Sequence, residues 1–232
     1  MLFHSTRKLI PAFSDPKLGL DTIQKVSTFK YLGLHLDPTF SWDAHIKYVE
    51  SRVSPLCGMM WRLSSFIPRS ILLKFYHAHI HPHFNYLSIV WGRTSKSRLT
   101  KLQVIQNRCI KTVYRLPRLY PTLQLYTTLP HGILPLLGLC ELQTLLFVHD
   151  IRFNINKHHN TPGMVRSSFN HRRTNNIVRF RVYSKIGEKC LSYIGPKQFN
   201  SLPSHLKSIT VSHIFKKEIK LYLKNQMSAL LN

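Results

Sequence analysis

The sequence predicts an α+β chain that is mostly α-helical, with short strands near its N-terminus. Long stretches place apolar residues at three- and four-residue spacing, which is the period of an amphipathic helix. Residues 1–40 instead show the alternation and turn residues typical of short strands. With 232 residues, 44% of them hydrophobic, the chain can bury a core as one large domain or two small ones.

Three regions follow one another along the chain in this prediction. Residues 1–40 form short strands, residues 41–151 form a helical region, and residues 152–232 form a small basic module. The last boundary marks a shift in composition, because Lys and Arg become frequent after it while acidic residues become rare.

Residues 29–37 carry the clearest strand signal of the first region. They alternate aliphatic and aromatic residues with polar ones, and they end at the turn signal of Asp37 and Pro38. A helix is predicted to follow, with Ser41 as its N-cap and Asp43 in its first turn. A side-chain oxygen and a negative charge both stabilise that end of a helix.

Prolines interrupt the first two helical stretches. Pro55 lies inside the stretch 41–63, where it costs about 3 kcal/mol, so we expect a kink or two helices. Pro82 is a second expected kink, within the stretch 68–91.

Residues 98–115 form the clearest predicted helix. At about 100° per residue its apolar side chains share one arc. The opposite arc carries Lys101, Arg108, Lys111 and Arg115. Because this stretch holds no acidic residue to compensate them, the four cations predict contact with a phosphate backbone. A merely solvated helix face is the alternative.

The C-terminal half adds fewer elements. A further apolar helix is predicted over 135–151. In the basic module, strands at 177–183 and 190–194 are expected to form a β-hairpin, and a helix from 212 to about 225 follows.

Charge decides the class of partner. The chain has 33 Lys+Arg against 9 Asp+Glu, a formal net charge of +24, and a polyanion must relieve the resulting repulsion. Nucleic acid is the first candidate and an anionic membrane surface the second. A membrane span is excluded, because the most apolar stretch, residues 133–140, is shorter than the roughly 20 residues required.

The acidic residues argue against a catalytic centre. The nine carboxylates include no adjacent Asp-Asp pair, whereas two-metal phosphoryl transfer needs several converging carboxylates. The four cysteines are isolated in sequence and form no zinc motif. Arg7, Lys8 and Pro11 make the N-terminus unlike a signal peptide. We therefore expect a nuclear or cytoplasmic protein that is not secreted.

Several motifs, in order along the chain, resemble one family. Residues 26–37, VSTFKYLGLHLD, followed by Trp42 and His45, resemble the segment after the palm of non-LTR (LINE-type, jockey-like) retrotransposon reverse transcriptases. Residues 102–108 are similar to its thumb pattern. Residues 195–203, together with FK at 215–216, resemble its C-terminal ending, where Phe199 replaces the usual Trp.

The resemblance implies that the chain holds the last palm strands, the thumb and the C-terminal region of an RNA-directed DNA polymerase. Its partners would be RNA and DNA, as a template–primer hybrid duplex, and the missing N-terminal fingers and palm. The family's Asp-Asp motif, which binds Mg²⁺ in the full-length enzyme, matches no residue here. We therefore predict binding without catalysis, and no cofactor in this chain. The alternatives are a non-catalytic nucleic-acid-binding module, an inert transposon remnant, or a membrane-surface binder.

Two further groups are candidates for nucleic-acid contact. By resemblance, Lys30, Tyr31 and Gly33 form a primer-grip-like strand and turn, where glycine lets the backbone approach a nucleic-acid end. An ordinary hairpin is the alternative. The basic module adds four arginines: Arg172, Arg173, Arg179 and Arg181. For these, an interaction tail or a nuclear import signal is the alternative.

Four alternating histidines form a weak candidate metal cluster: His77, His79, His81 and His83. On a helix, residues four apart share a face, a spacing that zinc sites use. No acid or cysteine lies nearby in sequence to complete a site. We therefore predict no physiological metal and expect partly exposed residues on a helix.

Overall fold

The computed structural model describes residues 1–4, 17–130, 132–153, 176–177, 179, 181–184 and 187–230. Its strands are β1 (Lys17–Leu18), β2 (Asp21–Thr22), β3 (Phe29–Tyr31) and β4 (Leu34–Leu36). Its helices up to the middle of the chain are α1 (Asp43–Leu63), α2 (Arg69–Phe75), α3 (His81–Asn85), α4 (Ser88–Trp91), α5 (Lys96–Val113) and α6 (Thr122–Thr127). The remaining helices are α7 (Leu136–Phe153), α8 (Leu191–Asn200), α9 (Ser204–Lys207) and α10 (Ser212–Leu230).

The strands form two small antiparallel hairpins, β1–β2 and β3–β4. The second turns at Leu32 and Gly33, whose φ angles of 46° and 78° are both positive, as a two-residue type I′ turn requires. Tyr86 fixes this turn to the helical region, because its hydroxyl donates to the Leu32 carbonyl at 2.7 Å. The strand signal at residues 29–37 is confirmed.

The Asp37 carboxylate organises the start of α1. It accepts hydrogen bonds from the backbone amides of Thr39, Ser41 and Trp42 at 3.1, 2.8 and 2.7 Å. The helix begins at Asp43, and its N-cap is Trp42, which has a φ of 68°. The prediction of Ser41 as the N-cap is therefore wrong by one residue. The Ser41 hydroxyl still accepts from the Asp43 amide at 3.3 Å, and Asp43 forms an ion pair with Arg98.

Pro55 does not divide the first helix, so of the two predicted outcomes the pair of helices is wrong, and the kink stays a prediction. The residue is exposed, and the Ser51 carbonyl that loses its amide partner lies one turn earlier on α1. Val53 and Met60, on either side of the proline, are fully buried. Their burial keeps the chain helical, because two such side chains contribute about as much as the proline costs.

The stretch 68–91 is interrupted after Pro82 and not at it. Helical geometry runs from Arg69 to Asn85 through a single π-helical turn, Tyr76–Ile80, which joins α2 to α3 just before the proline. The helix ends at Tyr86, which is extended, and Leu87, which has a positive φ. The kink predicted at Pro82 itself stays a prediction.

Helix α5 is the centre of the larger core. Its apolar side chains pack with α1, the π-helical turn, α6 and the start of α7 in one cluster. Gln106 is fully buried within that cluster, and its amide nitrogen donates to Tyr76 Oη at 3.1 Å and to the Leu134 carbonyl at 3.0 Å. A buried amide is tolerated only when its bonds are made, so Gln106 fixes the register of three segments.

Helix α7 contributes to both hydrophobic clusters. Leu136 and Leu139 pack in the larger one, whereas Leu142 and Leu145 pack in a smaller cluster with α8, α9 and α10. Arg93 adds a polar link, since its guanidinium donates to Thr144 Oγ1 and to Gln198 Oε1. The two clusters therefore share one helix.

The predicted C-terminal hairpin is wrong. Residues 190–194 start helix α8, in which Gly195, Pro196 and Phe199 are buried at helical spacing; this tertiary packing overrides the local strand preference. No strand occurs among the described residues of 177–183. At Ile177 the Asn200 side chain takes the place of a partner strand, because its amide oxygen accepts from Ile177 N at 2.8 Å and its amide nitrogen donates to Ile177 O at 2.7 Å.

The predicted fold class is confirmed: the chain is mostly helical with two short antiparallel strand pairs near the N-terminus. The final helix extends beyond the predicted end, to Leu230. Within the described ranges, no helix is long and apolar enough to cross a bilayer.

Gly92 ends α4 against α7, and we predict that Gly92→Ala lowers the free energy of unfolding. A Cβ there would meet the Cys140 side chain, whose own Cβ would be 2.9 Å away, and the Ser88 carbonyl. Overpacking of this kind costs about 1–3 kcal/mol. Urea denaturation followed by circular dichroism measures the loss.

Gly58→Ala is the matched control. A Cβ at Gly58 meets nothing within 4 Å, and in a helix interior alanine is favoured over glycine by about 1 kcal/mol. This variant should be as stable as the parent or more so. Equal midpoints for the parent and Gly92→Ala would contradict the packing at the α4–α7 contact.

Asp37→Asn tests the cap of α1. Partial burial is the largest influence on the pKa of Asp37 and raises it, but hydrogen bonds from Ser41, Thr39 and Trp42 together hold the pKa below 3.8. Because the pKa of Asp37 is lower in the folded than in the unfolded chain, its carboxylate stabilises the fold fully when the pH is above the unfolded pKa, about 3.9. This contribution is lost as the pH falls through the folded pKa. We expect the variant to be about 1–2 kcal/mol less stable at pH 7. A stability gap that persists unchanged below about pH 3 would contradict this assignment.

Candidate nucleic-acid interface

An open groove of about 1200 Å³ runs between α1 and α5. Ser54, Cys57 and Trp61 of α1 line one wall. The C-terminal half of α5 and the loop that follows it, as far as Thr122, line the other. The buried apolar stripes of the two helices pack beneath it, so the groove is bounded by the outward sides of the same two helices, which carry polar and apolar side chains.

The cationic side chains of the groove come from four positions: Arg108, Lys111, Arg115 and Arg118. Three belong to the predicted arc of the α5 helix. No acidic side chain occurs among the described residues that line the groove. Like charges gathered in a concave surface raise the local positive potential, which attracts and concentrates a polyanion.

Arg115 lies just beyond the end of α5 and adopts a positive φ of 51°. Its Nε and Nη2 atoms donate to the Ser64 carbonyl at 3.1 and 2.8 Å. The bonds join the C-terminal ends of α5 and α1 across the groove. They also fix the guanidinium without neutralising it, because a carbonyl oxygen carries no net charge.

Lys111 and Arg118 are joined in the same way. The Lys111 ammonium donates to the Arg118 carbonyl at 2.7 Å, which holds the loop after α5 against the helix. The carbonyl oxygen that accepts this bond adds no negative charge. The groove thus combines fixed walls with uncompensated charge.

Trp61 provides the apolar surface of the groove. Its side chain is 69% exposed although it is on a helix whose apolar stripe, including Val53 and Met60, is buried. An exposed indole beside several cations is typical of surfaces that bind nucleic acids, where aromatic rings stack on bases.

Lys101 lies outside the groove lining. It is exposed on α5, seven residues before Arg108 and therefore about two turns along the same helix face. The predicted arc is thus a helix face from Lys101 to Lys111, whose C-terminal part forms the groove wall, and Arg115 joins that wall from the segment after the helix.

The structure brings Lys30, Tyr31 and Gly33 together in the β3–β4 hairpin. The ammonium of Lys30 lies 5.9 Å from the centre of the Tyr48 ring on α1, and Tyr31 is exposed. A Cβ on Gly33 would lie 3.2 Å from the Tyr86 ring, so this glycine permits a close approach to the protein's own side chain. The role predicted for these residues in primer contact stays a prediction.

The basic arginines of the C-terminal module divide into two groups. Arg179 and Arg181 are exposed, close in sequence to Ile177, which Asn200 holds. Arg172 and Arg173 lie outside the described residues.

The four alternating histidines lie in different surroundings. Only His77 and His81 are close, with ring centres 5.5 Å apart, and burial together with the charges of His77, Lys220 and Lys216 lowers the pKa of His81 to about 4. His79 packs on Phe75 at 4.7 Å. Burial and the nearby Arg52 lower the pKa of His83.

The described residues do not fit a bound metal. They include no group of three or more His, Cys, Asp and Glu side chains able to hold one. Asp37 caps α1 and Asp43 is paired with Arg98, so these two carboxylates are already engaged.

Trp61 and Arg118 are absent from the residues predicted to bind nucleic acid. A signal for Trp61 existed, because it falls outside the apolar stripe of its helix. For Arg118 the sequence offered only its spacing of three from Arg115, beyond a proline. The fold of the loop, fixed by Lys111, brings Arg118 to the groove.

Comparisons of the chain with protein-family models, with curated proteins and with solved structures find no match. The significance of the groove between α1 and α5 therefore rests on its own geometry and charge.

Proposed function

We propose that the chain is the part of a non-LTR retrotransposon reverse transcriptase that binds the template–primer, without the catalytic Asp-Asp motif. One observation carries the binding role: four cations line the groove between α1 and α5, and no described lining residue is acidic. Phosphate backbones are bound through such clusters of Lys and Arg.

The net charge of +24 supports the same conclusion. A chain with so few carboxylates cannot neutralise its own cations, and the groove concentrates them where two walls are held rigid. RNA–DNA hybrid and duplex are the proposed ligands, and binding is mostly independent of sequence because it is directed at the backbone.

The chemistry of polymerisation belongs to another part of the polymerase in this proposal. The nine acidic residues contain no adjacent Asp pair. The missing fingers and palm would supply the catalytic carboxylates, and this chain would hold the nucleic acid. A non-catalytic binding module is the second candidate, and it would use the same groove.

Replacing Arg108 and Arg118 with Gln should weaken duplex binding and reduce its dependence on salt. Each phosphate contact adds about 0.9 to the slope of log K against log salt concentration, so losing two should lower that slope by about two units. Fluorescence anisotropy with a labelled RNA–DNA hybrid over a range of salt concentrations measures the affinity and this slope.

The control is Lys17→Gln with Lys217→Gln, which removes the same charge from exposed positions outside the groove. Identical losses in both double variants would show that binding is diffuse electrostatics and that the groove has no special role. Preferential binding to anionic lipid vesicles rather than to nucleic acid would instead favour a membrane-surface binder and overturn the proposal.

Primer extension tests the absence of catalysis. We expect the chain to add no nucleotide to a primer annealed on an RNA template, with or without Mg²⁺, because metal-assisted transfer needs several converging carboxylates. A gel assay with a labelled primer and a no-protein control measures this. Magnesium-dependent extension would contradict the prediction.

A further inference from the structure

We infer that the groove between α1 and α5 binds an unpaired nucleic-acid strand, with a base stacked on Trp61 and the backbone on the cations of the opposite wall. The inference rests on the proposed nucleic-acid binding and adds an unpaired strand, as at the end of a template–primer duplex, to the forms that this groove takes. Trp61 and the cations line one and the same groove.

Trp61 is a large apolar surface left in water. Its side chain is 69% exposed, whereas Trp42 and Trp91, the other two tryptophans of the chain, are 8% and 0% exposed. Unlike the two buried tryptophans, Trp61 therefore adds little to the hydrophobic core. A nucleobase has a flat π-face that can stack on such a ring. Removing an aromatic residue that stacks on one base typically lowers the affinity about fivefold or more.

The opposite wall supplies the charges that a backbone needs. Arg108 and Lys111 lie on α5, and Arg115 and Arg118 follow it. Because Arg115 is fixed by Ser64 and Lys111 by the Arg118 carbonyl, two of the cations are already ordered before a ligand arrives. Such preorganisation lowers the entropic cost of binding.

Asn107 adds a directional polar group between the charges. Its Oδ1 accepts hydrogen bonds from Gln103 Nε2 at 2.8 Å and from Tyr126 Oη at 2.7 Å. These bonds occupy its acceptor, so the Nδ2 donors are the part that a ligand can use. These N–H groups can donate to the carbonyl oxygens and ring nitrogens of bases and to phosphate oxygens.

The shape of the groove lets an unpaired strand stack on Trp61, whereas a duplex contacts the same groove through its phosphates alone. Its walls are two packed helices, whose axes lie about 8–10 Å apart in such contacts. In a duplex the base faces are stacked on one another, and the ring of Trp61 could reach one only at an end. An unpaired strand can turn its bases toward α1 while its phosphates follow α5.

Trp61→Ala and Trp61→Phe, compared on a short single strand and on a duplex of the same sequence, test the inference. We expect Trp61→Ala to lose about fivefold or more in affinity for the single strand and to keep its duplex affinity. Trp61→Phe should retain most of the single-strand affinity. Phe66→Ala is the control, because Phe66 is 86% exposed and does not line the groove.

Tryptophan fluorescence gives a second, direct measurement. Since Trp42 and Trp91 are buried, quenching by a saturating single strand reports on Trp61, and it should disappear in Trp61→Phe. Binding without quenching, or equal single-strand affinity for the parent and Trp61→Ala, would overturn stacking in the groove while leaving backbone binding intact. Failure of the parent chain to bind any nucleic acid at low salt would instead overturn the proposed function itself.

Discussion

The packing of α1 on α5 is the contact on which the rest of the structure depends. The two apolar stripes bury each other, and fully buried Val53, Met60, Leu102 and Ile110 contribute to one core. Burial of that kind is the main favourable term in folding. It also decides which side chains remain outside, because the outward sides of the same two helices become the walls of the groove.

A shortage of carboxylates shapes the polar chemistry of the fold. With 33 Lys+Arg and 9 Asp+Glu, most cations cannot form ion pairs. Arg115 and Lys111 instead donate to main-chain carbonyl oxygens, and Arg93 donates to Thr144 and Gln198. These bonds order the side chains and leave their charge intact. The same bonds therefore stabilise the fold and leave a positively charged surface at the groove.

Local patterns predicted the fold well where periodicity and burial agree. The helix at residues 98–115 and the hairpin signal at 29–37 both correspond to observed elements. The strand expected at 190–194 failed, because burial of Phe199 in the smaller cluster imposes a helix on that segment. Pro55 did not end its helix, since the packing of the residues around it outweighs the cost of one proline.

The sequence by itself determined the fold class, the excess of charge and the cationic face of α5, because composition and helical period are local properties. It could not show that this face lies beside Trp61, a residue 47 positions before Arg108. The packing of α1 on α5 in the tertiary structure places the cationic face and Trp61 in one groove. The tertiary structure also brought Arg118 to the groove, since the path of the chain after a helix depends on hydrogen bonds such as that from Lys111, which no local pattern contains.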